Sequence, residues 1–174
     1  VSGLATLDVG ATGAITLGDG AGETTNFGSL NLTGAAVAVT EDSSTTLAGA
    51  SASTLNVTSG GDLTDSGNLA VSGLATLDAG ATGAITLGDG AGETTNFGSL
   101  NLTGAAVTVT EDSATTLAGA SASTLSVTSG GDLTDSGNLA VSGLATLDAG
   151  ATGAITLGDG AGETTNFGSL NLTG

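Results

Sequence analysis

Thr54–Gly73 reads TLNVTSGGDLTDSGNLAVSG. Three apolar phrases, Leu55-Asn56-Val57, Leu63 with its neighbours, and Leu69-Ala70-Val71, are separated by glycine-bearing breaks. Within each phrase apolar residues alternate with small polar ones, the mark of a strand with one buried face. Twenty residues carrying three such strands make about one turn of a three-sided β-solenoid.

The phrase belongs to a repeat. VSGLATLD begins at Val1, Val71 and Val141, a spacing of 70 residues. The first two copies differ at Val9/Ala79, Ala38/Thr108, Ser44/Ala114 and Asn56/Ser126, and Ala70–Gly104 recurs unchanged as Ala140–Gly174. Self-similarity at a fixed period signals a solenoid or array. The expected architecture is all-β, a right-handed parallel β-solenoid (β-helix) with three-sided coils, three per 70-residue repeat. Residues 1–174 are expected to form one solenoid segment of a longer array, with units 4–73, 74–143 and a partial 144–174.

Splitting the first unit into coils 4–28, 29–53 and 54–73 gives a specific register. The first strand stacks Ala5/Leu7, Leu30/Leu32, Leu55/Val57 and Ala75/Leu77. A second stacks Ile15/Leu17, Val37/Val39 and Gly61/Leu63, and a third Thr25/Phe27, Thr45/Leu47 and Leu69/Val71. Of the unit's large apolar residues only Leu4 and Val9 fall outside these inward positions. The four positions that vary between copies are all placed off this core. Phe27, Phe97 and Phe167, one per unit, are read as a wider core layer.

Composition narrows the function. The chain has no Lys, Arg, His, Cys, Pro, Met, Trp or Tyr, 32 Gly and a formal charge of −17. No side chain is available as a basic catalyst, a thiolate nucleophile or an anion clamp, so an enzyme is not expected. The charge excludes nucleic acid as a partner. The longest apolar run, Ala35–Val39, is too short to span a membrane, so membrane insertion is not expected. Val1 opens inside a repeated strand phrase, and neither end carries a polar cap. Open edges template further pairing, so the segment is expected to continue into more coils or to abut another copy of itself.

The carboxylates are the informative polar groups. Each unit holds Asp8, Asp19, Glu23, Glu41, Asp42, Asp62 and Asp65 or their copies. The coil alignment gathers Asp19 and Glu23, then Glu41 and Asp42, then Asp65 at one corner, with Asp89, Glu93, Glu111, Asp112 and Asp135 continuing the edge. Such an acidic ridge offers oxygen ligands to Ca²⁺, with Gly18–Thr24 (GDGAGET) as the most site-like loop. The competing reading is a solvated acidic edge that keeps rods soluble. Asn31-Leu32-Thr33 and Asn56-Val57-Thr58 match the glycosylation sequon, but also follow from simple outward-inward-outward strands.

The phrases SLNLTGAAVTVTED, STLSVTSGGDLTDSGNLAVSG and LATLDAGATGAITLGD resemble the repeat regions of filamentous-haemagglutinin-like adhesins and related autotransporter passengers. The resemblance implies a right-handed parallel β-helix, secretion across an outer membrane and an extended stalk outside the cell. Near-identical copies and the absence of basic residues depart from that pattern, and suit a long spacer better than an adhesive tip. The expected function is the structural rod of an extracellular bacterial filament or giant surface protein. The alternative is an adhesin stalk that binds host glycans or proteins, stabilised by Ca²⁺.

Overall fold

The computed structural model describes residues 2–174; the expected strand start at Val1 lies outside them. Every regular element among the described residues is a strand. In chain order these are β1 (Leu4–Asp8), β2 (Ala14–Leu17), β3 (Ser29–Glu41), β4 (Thr45–Ser59), β5 (Leu63–Asp65), β6 (Leu69–Asp78) and β7 (Ile85–Leu87). They continue as β8 (Thr95–Glu111), β9 (Thr115–Ser129), β10 (Leu133–Asp135), β11 (Leu139–Asp148), β12 (Ile155–Thr156) and β13 (Thr165–Thr173). All registered pairs are parallel. The chain winds as a parallel β-solenoid, as the alternation predicts.

One ladder column runs almost the whole length. Leu17 pairs with Val39, Val39 with Val57, Val57 with Leu77, Leu77 with Leu102, Leu102 with Ala120, Ala120 with Leu139, and Leu139 with Thr165. Seven turns therefore cover the 148 residues from Leu17 to Thr165, about 21 residues each. From Val39 to Leu102 this column buries its side chains to 2% exposure or less. Burial is sustained because parallel strands stack residues of the same inward parity.

The register differs from the 25-residue coils expected after the first turn. Ala5/Leu7 do pair with Leu30/Leu32, Ile15/Leu17 with Val37/Val39, and Leu55/Val57 with Ala75/Leu77. Leu30 and Leu32, however, lie beside Leu47 and Ala50, not Leu55 and Val57. Val37 and Val39 take Leu55 and Val57 as neighbours, in place of Gly61 and Leu63. Thr45 pairs with Leu63, and Leu69/Val71 with Ala50/Ala52. The physical reason is turn length. The step from Leu32 to Ala50 is short, and a β-bulge at Ala48 (Leu30 faces Leu47, yet Asn31 faces Gly49) absorbs the odd residue. The step from Leu69 to Thr95 is long because it carries the loop after β7.

Unequal turns mean that the 70-residue repeat makes about three turns but not a whole number. Leu7 shares a column with Leu32, Ala50, Leu69 and Thr95. Its copy Leu77 sits in the Leu17 column, and the next copy, Leu147, in a third with Leu87, Val109, Val127 and Leu172. Each repeat thus advances about three and a third turns. Identical sequences present themselves on successive faces, a third of a turn apart.

Leu4 and Val9 are exposed at 56% and 46%, as the inward pattern requires. Of the four positions that vary between copies, Ala79 departs from expectation, being buried at 3%. Where the core reaches a corner, hydroxyls replace methyls. Buried Thr45 Oγ1 donates to Ser59 Oγ (3.0 Å), which donates to the Ser43 carbonyl (3.0 Å). Here the small side chains satisfy one another as the backbone turns, whereas the buried Thr95 Oγ1 has no hydrogen-bond partner. Phe97 is buried, and Phe27 and Phe167 pack partly buried against the core.

Candidate functional site

The period-2 parity of the strands carries some carboxylates inward. Glu41 follows Val37 and Val39 on the buried side of β3, and Glu111 follows Val107 and Val109 on β8. Each is 2% exposed. Their role is visible one turn back. Phe27 N–H donates to Glu41 Oε1 (2.6 Å) and Thr25 N–H to Asp42 Oδ2 (2.6 Å). The next repeat does the same, with Phe97 N–H on Glu111 (2.7 Å) and Thr95 N–H on Asp112 (2.7 Å). At this corner β3 and β8 end, and the turns stay joined by the backbone bonds from Asp42 N–H to the Thr25 carbonyl and from Asp112 N–H to the Thr95 carbonyl, each 3.0 Å. The Glu-Asp carboxylates add the acceptors for the amides of the turn beneath.

Burial pushes the Glu111 carboxyl above its ordinary value, the Phe97, Thr115 and Ser113 hydrogen bonds oppose the shift, and Asp112 adds to it. Glu41 Oε2 and Glu111 Oε2 remain buried without a partner.

Other carboxylates also hold amides across turns. Asp62 Oδ1 accepts Ala84 N–H and Asp132 Oδ1 accepts Ala154 N–H, each at 2.9 Å. Asp8, Asp78 and Asp148 accept the N–H two residues on. Glu23, Glu93 and Glu163 reach back to Gly20, Gly90 and Gly160 inside their own loops. Among the described residues, Asp19, Asp89 and Asp159 alone of the 17 acidic side chains accept no hydrogen bond. They are three copies of one position, the Asp of GDGAGET.

That loop is shaped by glycine. Gly88 has φ +71°, and a Cβ there would collide with the Thr110 carbonyl of the next turn. Gly92, at φ +84°, faces open space. The loop stands off the end of β7 and brings its acids to β5. Asp65, Asp89 and Glu93 place carboxylate oxygens within 4.8 Å of one another, as do Asp135, Asp159 and Glu163. The loop's first glycine donates its N–H to this Asp in both copies: Gly88 N–H is shared by both Asp65 oxygens (3.1 Å each), and Gly158 N–H meets Asp135 Oδ1 alone (2.8 Å). Burial raises Asp65 to about 6, with Glu93 and Asp89 adding repulsion.

The acidic side chains do not form one ridge. Asp19 and Glu23 do lie one turn from Glu41 and Asp42, where Thr25 and Phe27 meet them. Asp65 belongs instead with Asp89 and Glu93, and Asp135 with Asp159 and Glu163. The short turn after β3 shifts Asp65 to the next corner, and the third-of-a-turn advance carries each later group onward again. Sequence reasoning passed over Asp159 and Glu163, although they are the third copy of the same loop. It also passed over the inward parity of Glu41 and Glu111, which alternation from Val37 and Val107 foretells.

Residues 34–103 and 103–173 each match a family model described as repeats of unknown function (DUF5649). No match is found among curated proteins or among solved structures. The two matched stretches meet at residue 103, and each spans close to one 70-residue repeat of the sequence.

Proposed function

Taking as premise that the chain belongs to the DUF5649 repeat family, we propose that it serves as the structural rod of an extracellular bacterial filament or giant cell-surface protein. The observation that carries this reading is the unbroken parallel column from Leu17 to Thr165. A ladder of that kind adds the same hydrogen bonds and the same buried layer with every turn, so length extends without new design. At ~4.8 Å per turn, each repeat adds roughly 16 Å.

The resemblance of the repeats to filamentous-haemagglutinin-like stalks supports placement outside the cell, and the absence of Lys and Arg supports durability, since trypsin has no cleavage site. The third-of-a-turn advance suits a spacer better than an adhesive face, because successive copies of one loop point from different sides and a side is revisited only at every third repeat. Two surface grooves fit the same view. One of about 560 Å³ is lined by Thr33, Ser51, Ala52, Ser72 and their neighbours, and its counterpart one repeat on repeats the chemistry. Small residues of this kind offer little to grip a glycan.

Electron microscopy of arrays with increasing repeat number tests the reading. Rod length rising by roughly 16 Å per added repeat, with constant width, is the expected result. Collapsed or globular particles would overturn it.

A further inference from the structure

We propose that each junction between repeats holds a hard divalent cation of the calcium class, gripped by an Asp that ends one turn and by the GDGAGET loop of the next. The ligands are Asp65, Asp89 and Glu93 at one junction, and Asp135, Asp159 and Glu163 at the other.

Proximity of acids does not carry this alone. Asp135 is only 7% exposed; one of its oxygens accepts the Gly158 N–H, while Oδ2 is buried with no hydrogen-bond partner. A buried carboxylate oxygen left without a donor is costly. Asp159 and Glu163 bring carboxylate oxygens within 4.8 Å of the Asp135 carboxylate, and the chain contains no Lys, Arg or His to answer them. A cation from outside would supply the partner this oxygen lacks; the buried oxygens of Glu41 and Glu111 differ in having no second and third carboxylate grouped with them among the described residues. Asp89 and Asp159 complete the argument, because these acids hold no amide and are spare for a ligand.

The donor set selects the ion. Three carboxylates and no sulfur or imidazole favour a hard cation over zinc or copper. Oxygens on opposite sides of Ca²⁺ stand about 4.6–5.2 Å apart at its usual bond lengths of 2.3–2.6 Å. Oxygens within 4.8 Å of one another suit that span, and water completes the six to eight ligands Ca²⁺ takes. Asp65 comes from one repeat and Asp89 with Glu93 from the next, so the ion ties consecutive repeats together. The advance between repeats sets the two ions on different corners, as separate staples and not as a row. This inference does not rest on the extracellular rod reading.

The test is calorimetric titration of the whole 174-residue chain with CaCl₂ after EDTA dialysis, with MgCl₂ and NaCl of matched ionic strength alongside. Two bound calcium ions per chain are expected, matching the two carboxylate groups. Asp89→Asn and Asp159→Asn should each remove one ion. Asp19→Asn should remove none, because its loop has no third carboxylate grouped with it among the described residues. Circular dichroism confirms that each variant is folded, and a melt should show Ca²⁺ raising the transition beyond the NaCl control. Equal stabilisation by NaCl, unchanged binding in the Asp89→Asn/Asp159→Asn double variant, or an equal loss in Asp19→Asn would each overturn the site. Equal affinity for Mg²⁺ would overturn its assignment to calcium.

Discussion

At the corner that ends β8, both acids are consumed by the turn beneath: Glu111 holds the Phe97 amide and Asp112 the Thr95 amide. In the Gly88–Thr94 loop that precedes those same amides, Asp89 holds nothing and faces Asp65 and Glu93. One chemistry serves two ends. Where β8 ends, carboxylates accept backbone amides beside the last backbone bond and hold the fold. Where the loop leaves the ladder, three carboxylates gather with no counter-charge among them, and one of the three, Asp89, holds no amide. A count of acidic residues merges the two groups; the amides they meet separate them.

The largest effect should come from the loop's backbone, where glycine is required. Gly88→Ala meets both a left-handed φ and the Thr110 carbonyl, whereas Gly92→Ala meets the φ alone. Left-handed backbone costs an ordinary residue about 1–2 kcal/mol. Urea melts should show that loss for Gly92→Ala and a clearly greater one for Gly88→Ala. Equal losses would mean that the loop does not seat on the next turn.

The corner comes second. Glu111→Ala leaves the buried Phe97 N–H without an acceptor, a loss of about 1–3 kcal/mol by the same melts. Glu111→Gln keeps an acceptor and removes the charge, so it should restore most of that loss. A Gln variant as damaged as the Ala variant would deny the amide-holding role.

A smaller effect follows from protonation. The folded-state pKa of Glu111 is raised above 4.5, chiefly by burial, so the folded chain binds this proton more tightly than the unfolded one. Stability should therefore rise as pH falls through the raised value toward 4.5 and decline as pH climbs. Asp65 acts in the same direction between about 6 and 3.8. In EDTA, melting temperature should increase from neutral to about pH 5, and Glu111→Gln should flatten part of the slope. A slope of the opposite sign would contradict the burial argument.

The smallest effect belongs to the free acid. Asp89→Asn without calcium should shift stability by no more than about 0.5 kcal/mol, because no hydrogen bond is lost. A loss as large as that of Glu111→Ala would erase the contrast between loop and corner.

How much of this was legible in the residues follows from range. Alternation is local, so the inward positions of Leu30, Leu55 and Leu77 and the exposure of Leu4 could be read directly. The same parity marks Glu41 as buried, which the charge of Glu obscured. Neighbours in a parallel ladder, by contrast, are separated by a whole turn, and alternation does not encode its length. Leu30-Asn31-Leu32 and Leu55-Asn56-Val57 look like stacked equivalents, yet the turn between them is short enough that Leu47 and Ala50 arrive first. The acidic ridge was lost with that register. The loop Asp could be identified by its spacing, but its grouping with Asp65 depends on the turn lengths.

The most direct test of this winding is a pair of double-cysteine variants in a chain that has no cysteine of its own. Thr40 and Thr58, both exposed, are registered partners on adjacent strands, within the span a disulfide bridges. Thr40→Cys/Thr58→Cys should form an intramolecular disulfide on mild oxidation, and Thr33→Cys/Thr58→Cys should not, since Thr33 is registered beside Ser51. A disulfide in the second variant and none in the first would restore 25-residue coils and remove the third-of-a-turn advance.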